Sequence, residues 1–142
     1  MLLLKNEKGV WGMVKRIART VSLFLAGGYL YGLVEILYRG RTHPSMFLLG
    51  GVCLVCIGGV RRAWPGAPLA KKMLVSGAHI TVAELICGIV VNVILDMGVW
   101  NYSDVPFNLL GQICLPCSAA WCRVALPAMG VDKLVCAAHG AH

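Results

Sequence analysis

The sequence predicts an all-α, polytopic integral membrane protein with four transmembrane helices, and three observations carry that prediction. The 142 residues are 58% hydrophobic and only 13% charged, with 17 glycines, which leaves too little polar surface to cover a water-soluble domain. Long runs with almost no charge, near the length of about 20 residues that crosses a bilayer, extend from Thr20 to Tyr38, Met73 to Leu95 and Val105 to Val131, with a shorter one from Ser45 to Val60. Lysine and arginine gather on one side of these runs, as membrane topology demands.

Residues 1–19 form a basic segment. In "GVWGMVKRIAR", Val10, Trp11, Val14 and Ile17 share one helical face, and Lys15, Arg16 and Arg19 surround the other. Such a segment either lies amphipathically on anionic lipid or is ordinary flanking charge. The first span, with Glu35 inside it and no small-x-small site in "ILYRGRTHP", is too long and too polar for a cleaved signal peptide. The second run is short, but His43, Pro44 and the stems of Arg61 and Arg62 extend it to the interface. "RRAWPGAPLAKK" then makes a tight turn, and Trp64 and Trp100 stand where interfacial aromatics belong. The transmembrane domain therefore covers 20–131, and 132–142 is a short tail.

Lys5, Lys8, Lys15, Arg16, Arg19, Arg61, Arg62, Lys71, Lys72 and Lys133 fall on one side of this layout, against Arg39 and Arg41 on the other. Both termini are thus expected in the cytoplasm, with the chain in a cell membrane, most simply a bacterial plasma membrane. The +7 charge reads as topology, and no nucleic-acid partner is expected. "LVEILYRG" (33–40) echoes "VAELICGI" (82–89), and "FLLGG" (47–51) echoes "NLLGQ" (108–112). The echo is either two parallel two-helix repeats or chance likeness of apolar text.

Polar residues inside the spans are the candidates for function. Glu84 lies mid-span, where a carboxylate is costly and has a pairing or functional reason. It is either structural glue or a proton or ligand site, and Gly77, Thr81 and Gly88 form a small-residue stripe beside it for close helix packing. Glu35 sits one turn before Arg39 and one turn after Tyr31, a spacing that permits a local ion pair; Gly28 and Gly32 form a GxxxG on the same helix.

In "VWNYSDVPFNLLGQICLPC", Trp100 and Tyr102 read as an outer aromatic belt, and Ser103 or Asp104 as a helix cap with Pro106 in the first turn. Asn108 and Gln112 then share a helical face, so Glu35, Asn108 and Gln112 are expected to converge in an outward-facing pocket, with Pro116 kinking the helix beneath it. Arg123 either snorkels to the interface or pairs with Glu84.

Seven cysteines include two CxxC pairs, Cys53/Cys56 and Cys114/Cys117. Within apolar helices the default is small buried hydrophobes, so neither a metal site nor a disulfide framework is expected. No phosphate-binding GxxxxGK[ST] loop, HExxH, GxSxG or GxGxxG occurs, so any ATP hydrolysis must come from a partner. No cofactor is expected.

The Glu in "AELICGIVVN", which ends at Asn92, then "VWNYSDVPFNLLGQICLP" and a following Trp121, resemble the signature of a family of small bacterial membrane proteins known as the putative ABC-transporter type IV, or CmpB-like, family. Its eukaryotic relatives are called transmembrane protein 229. "GYLYGLVEILYRG", "HPSMFLLGG" and the four-span layout fit the same pattern, so the resemblance covers roughly residues 20–130. Trp100 to Ser103, with the following Asn and Gln, is the most specific part; Cys122 and Arg123 depart from the more apolar text expected there.

The resemblance implies a transporter subunit or accessory factor, partnered by the lipid bilayer, by copies of itself or by a separate ATP-binding subunit. The alternatives are a lipid-handling membrane protein or enzyme using Glu35, Glu84, Asn108 and Gln112, supported by Tyr31, Arg39, Asn92, Trp100, Tyr102 and Arg123, or a scaffold without a ligand.

Overall fold

The structure, a computed structural model, describes residues 1–140. Four helices account for most of it: α1 (Leu2–Arg39), α2 (Pro44–Ala63), α3 (Leu69–Gly88, continued by the π-helical segment Ile89–Ile94) and α4 (Leu115–Ala138). Three are long and apolar enough to cross a membrane: Leu3–Arg39, Pro44–Ala63 and Leu69–Ile94. The fourth helix is not, because it carries Arg123, Asp132 and Lys133. A mostly helical membrane protein with three candidate spans is what the fold establishes.

The helix ends follow local chemistry. Gly40 closes α1 in the left-handed conformation, φ 72°, with its N–H on the Ile36 carbonyl. His43 caps α2 by accepting the Ser45 N–H, and Pro44 occupies the first turn, where a missing N–H costs nothing. The basic 1–19 segment is continuous with the first span, so α1 is one helix of 38 residues, about 57 Å long.

The fourth helix begins ten residues later than "DVPFNLL" suggests. Residues 95–114 instead build a compact cap, which includes a two-residue antiparallel pairing of β1 (Asn108–Leu109) with β2 (Ile113–Cys114). Asn side chains decide this: Asn101 accepts the Ser103 N–H, and Asn108 donates to the carbonyls of Ser103 and Val105, local bonds that compete with a helix. Phe107 and Leu110 adopt positive φ, which no α-helix tolerates. Pro116 therefore starts α4 rather than kinking it, and the proline inside the helix is Pro127. At the other end α4 runs through Asp132 to Ala138, so most of the expected tail is helix, and residues 141–142 lie outside the described residues.

α2 is the central helix. Half of its most apolar window is buried, against 17% for α1, whose Leu33, Ile36 and Leu37 remain exposed as lipid-facing residues do in a bilayer protein. Glycine permits the closest approach. A Cβ on Gly27 would strike the Gly50 carbonyl, and Gly28 lies flat on the Phe47 ring; Gly32, the other half of that GxxxG, touches little. The α3 stripe receives α4 at Gly77, against Cys122, and at Thr81, whose hydroxyl donates to Ser118 at 3.0 Å. α1 meets α4 mainly toward the two ends of α4, through Tyr31 with Trp121 and Ser22 with His139.

Candidate functional site

Glu84 is the centre of the polar interior. It is 1% exposed, and both carboxylate oxygens accept: the Tyr102 hydroxyl donates at 3.1 Å to Oε1 and the Trp121 indole N–H at 2.9 Å to Oε2. The donors come from the cap and from α4, so one α3 carboxylate ties three segments together. The Trp121 ring in turn stacks on Tyr31 of α1, with centroids 5.8 Å apart. Burial, then the adjacent Glu84 carboxylate, raise the pKa of the Tyr102 phenol, so Tyr102 remains a donor through neutral pH.

The cap that aims Tyr102 is held by the remaining predicted polar residues. Asn92, in the π-helical turn, donates to Gln112 Oε1 at 2.8 Å and accepts the Val99 N–H at 2.7 Å. Trp100 is buried and donates its indole N–H to the Gln112 carbonyl, and the Tyr102 N–H bonds the Gly111 carbonyl. Gly88 and Gly111 clear the space: a Cβ at Gly88 would meet Gln112 and Trp100, and one at Gly111, φ 67°, would meet Ser103 and Asn101.

The predicted convergence of Glu35, Asn108 and Gln112 therefore does not occur. Asn108 is exposed and bonds loop carbonyls, and Gln112 is buried beneath Trp100. Glu35 pairs with Arg39 on its own helix, and Arg39 also donates to the Val99 carbonyl, pinning the cap to α1. Arg123 lies exposed, while Glu84 has its donors elsewhere. The reason is the missing helix: once 105–114 fold as a cap, the one-turn spacing of Asn108 and Gln112 no longer sets where they point.

Glu35 and Tyr31 instead border a groove of ≈ 420 Å³ between α1, α2 and α4. Its walls are otherwise apolar, including Leu30, Val34, Cys53, Val124 and Ala128, and Trp121 closes the cap end.

At the opposite, basic end, Asp132 is fully buried and takes Arg61 Nε on Oδ2 at 2.5 Å and the Arg62 guanidinium on Oδ1. Gly58 makes room, since a Cβ there would meet the Asp132 carboxylate. Sequence reading missed this ion pair by assigning Asp132 to a tail. The available signal was a lone acid opposite an Arg-Arg pair at a neighbouring helix end.

Cys114 and Cys117 form a disulfide across the start of α4, contrary to their expected role as buried thiols. Cys114 is the N-cap in extended geometry, and the following Pro116 turn brings Cys117 back over it. The Cys53 and Cys56 thiols remain free. Among the described residues no His, Cys, Asp and Glu group could hold a metal ion.

Residues 14–138 match the family model described as putative ABC-transporter type IV, and the chain belongs to that family. No curated protein and no solved structure matches it. Within this fold the family-like text has a physical meaning: Trp100, Tyr102 and Gln112 build the cap that seats a donor on Glu84.

Proposed function

We propose that this member of the family is a membrane-embedded protein that takes an amphiphile, a lipid or lipid-like molecule, laterally from the bilayer into the groove between α1 and α4. One observation carries the reading: a ≈ 420 Å³ groove whose apolar walls are closed at the cap end by Trp121 and run at the other end to Ile57 and Val131, beside the charged cluster of Arg61, Arg62 and Asp132. That volume lies within the range of about 300–1,000 Å³ typical of small-molecule sites, and such sites pair apolar walls with a few placed polar groups. Glu84, sealed by Tyr102 and Trp121, supports the groove wall and needs no catalytic role.

α4 completes a four-helix transmembrane bundle in this reading. Its contacts with α3 from Ser118 to Cys122 support a fourth crossing, with Arg123 snorkelling. The positive-inside bias supports a cytoplasmic location for both termini and for the Arg61/Arg62 end, in a bacterial plasma membrane. Two successive antiparallel helix pairs, α1 with α2 and α3 with α4, are compatible with a parallel repeat.

Photo-crosslinking tests the groove. Phosphatidylcholine carrying a diazirine near the chain terminus should label Leu30, Val124 and Ala128 more than the outward-facing Leu33, Val82 and Ile86. Uniform labelling of both sets would remove the reading.

The family description favours a second reading, in which the chain is the membrane subunit or accessory factor of a transport system, self-associating or paired with an ATP-binding subunit. Recovery of such a subunit on affinity purification from native membranes would support it. Recovery of the chain alone would count against it.

A further inference from the structure

The basic end of the groove carries more cation than its own structure uses. Arg61 and Arg62 both grip Asp132, so two guanidinium charges meet one carboxylate. Their remaining contacts run to the Cys136 sulfur, at 3.5 and 3.7 Å, and their side chains keep 28% and 25% of their surface accessible. Most of their N–H groups are therefore free to meet another acceptor. α1 adds to the excess: Nε of Arg19 is buried without a hydrogen-bond partner, one turn before Ser22, whose hydroxyl meets Nε2 of His139, just past the end of α4, at 3.3 Å. The Lys15 ammonium lies near Gly140 at the same end.

The cluster is continuous with the groove. Ile57 and Val131 line the groove, and their sequence neighbours are Gly58 and Asp132, which face each other beside the Arg61 and Arg62 ion pairs. From Asp132 to Trp121 at the cap end is eleven residues of α4, about 16 Å. That is roughly half of the ~30 Å hydrocarbon core, the depth occupied by the chains of one leaflet.

We propose that the basic end of the groove binds the phosphate of an anionic phospholipid, one acyl chain of which runs along the groove to Trp121. The proposal rests on the amphiphile-binding reading and names its ligand class. Arginine suits the task because its planar fork matches phosphate oxygens and it is less strongly hydrated than lysine. Asp132 acts as a positioning residue: it orients both guanidiniums toward the interface and cancels only one of the two charges.

The full-length protein is reconstituted in phosphatidylcholine vesicles containing an equal small fraction of brominated phosphatidylglycerol or brominated phosphatidylcholine, and tryptophan quenching is read. The Trp121 share is obtained by difference with Trp121→Phe, and independently with Ala128→Phe, which fills the groove. Brominated phosphatidylglycerol should quench Trp121 at a fraction about fivefold lower than brominated phosphatidylcholine, the factor expected per basic residue. Arg61→Gln and Arg62→Gln, each leaving the other arginine on Asp132, should each reduce that preference, while millimolar inorganic phosphate should not.

Equal quenching by both lipids would overturn the anionic selectivity and leave the groove reading standing. Abolition of the preference by inorganic phosphate would make the ligand a free anion and overturn the lipid assignment. Absence of Trp121 quenching by either lipid would remove both readings.

Discussion

Trp121 of α4 donates its indole N–H to the Glu84 carboxylate of α3 at 2.9 Å while its ring stacks on Tyr31 of α1. One side chain thus joins the buried acid to the wall of the groove. Glu84→Gln replaces an acceptor oxygen by an N–H group that faces a donor, and the lost bond should destabilise the protein by about 1–3 kcal/mol. Trp121→Phe should cost a similar amount, and the double variant less than the sum of the two, because the partners act as a unit. Thermal unfolding in detergent measures all three, and strict additivity would mean that the bond contributes nothing.

Removing Asp132 should be more damaging. Asp132→Asn leaves two guanidiniums at a buried site facing a neutral amide, and breaking such a pair costs about 3 kcal/mol or more; the accessible outer edges of both arginines hold the loss near that lower bound. A melting temperature within error of the wild type would show that the pair is a surface contact.

The glycines separate into two groups. Gly27→Ala drives a Cβ into the Gly50 carbonyl and the Leu54 Cβ, and because a backbone cannot yield as a side chain can, the α1–α2 interface should lose about 1–3 kcal/mol. Gly59→Ala meets nothing within 4 Å and should be neutral or gain up to about 1 kcal/mol of helix propensity. Equal effects of the two changes would refute this packing.

The thiols can be counted. Of seven cysteines, Cys53, Cys56, Cys87, Cys122 and Cys136 are free. Maleimide in denaturant without reductant should therefore add five labels, and seven after reduction. Seven labels before reduction would disprove the Cys114–Cys117 bond.

Tyr102 supplies a pH dependence. Burial and Glu84 raise its pKa in the folded state, so its contribution to stability is complete below the ordinary tyrosine value of about 10 and is lost progressively as pH rises beyond it. Tyr102→Phe should flatten the alkaline fall in stability. It should also leave the early phenolate absorbance of the folded protein unchanged, because Tyr102 does not contribute there. A smaller early signal in the variant would show that Tyr102 titrates normally.

The polar site was only half legible beforehand. Glu84 stood out because a lone acid in a 23-residue apolar run has few explanations, and the Glu35–Arg39 pair followed from one-turn spacing. The partners of Glu84 did not follow, since Tyr102 and Trp121 lie 18 and 37 residues away in sequence. No periodicity links them. Cys114 and Cys117 read as helix-buried thiols only if residues 105–114 are helical, and they are not.

Composition and apolar run length determined the solvent, the helical class and three of the spans, because those properties depend on local length and charge alone. Tertiary structure decided the rest. It folded "DVPFNLLGQIC" into a cap through asparagine bonds that overrode a plausible helix start, turned the expected tail into the helix that buries Asp132 beneath Arg61 and Arg62, and left an apolar groove where α1 and α4 part. Each of these depends on which distant surfaces meet, a choice set by packing and by satisfying buried polar groups, and neither is written in the spacing of one segment.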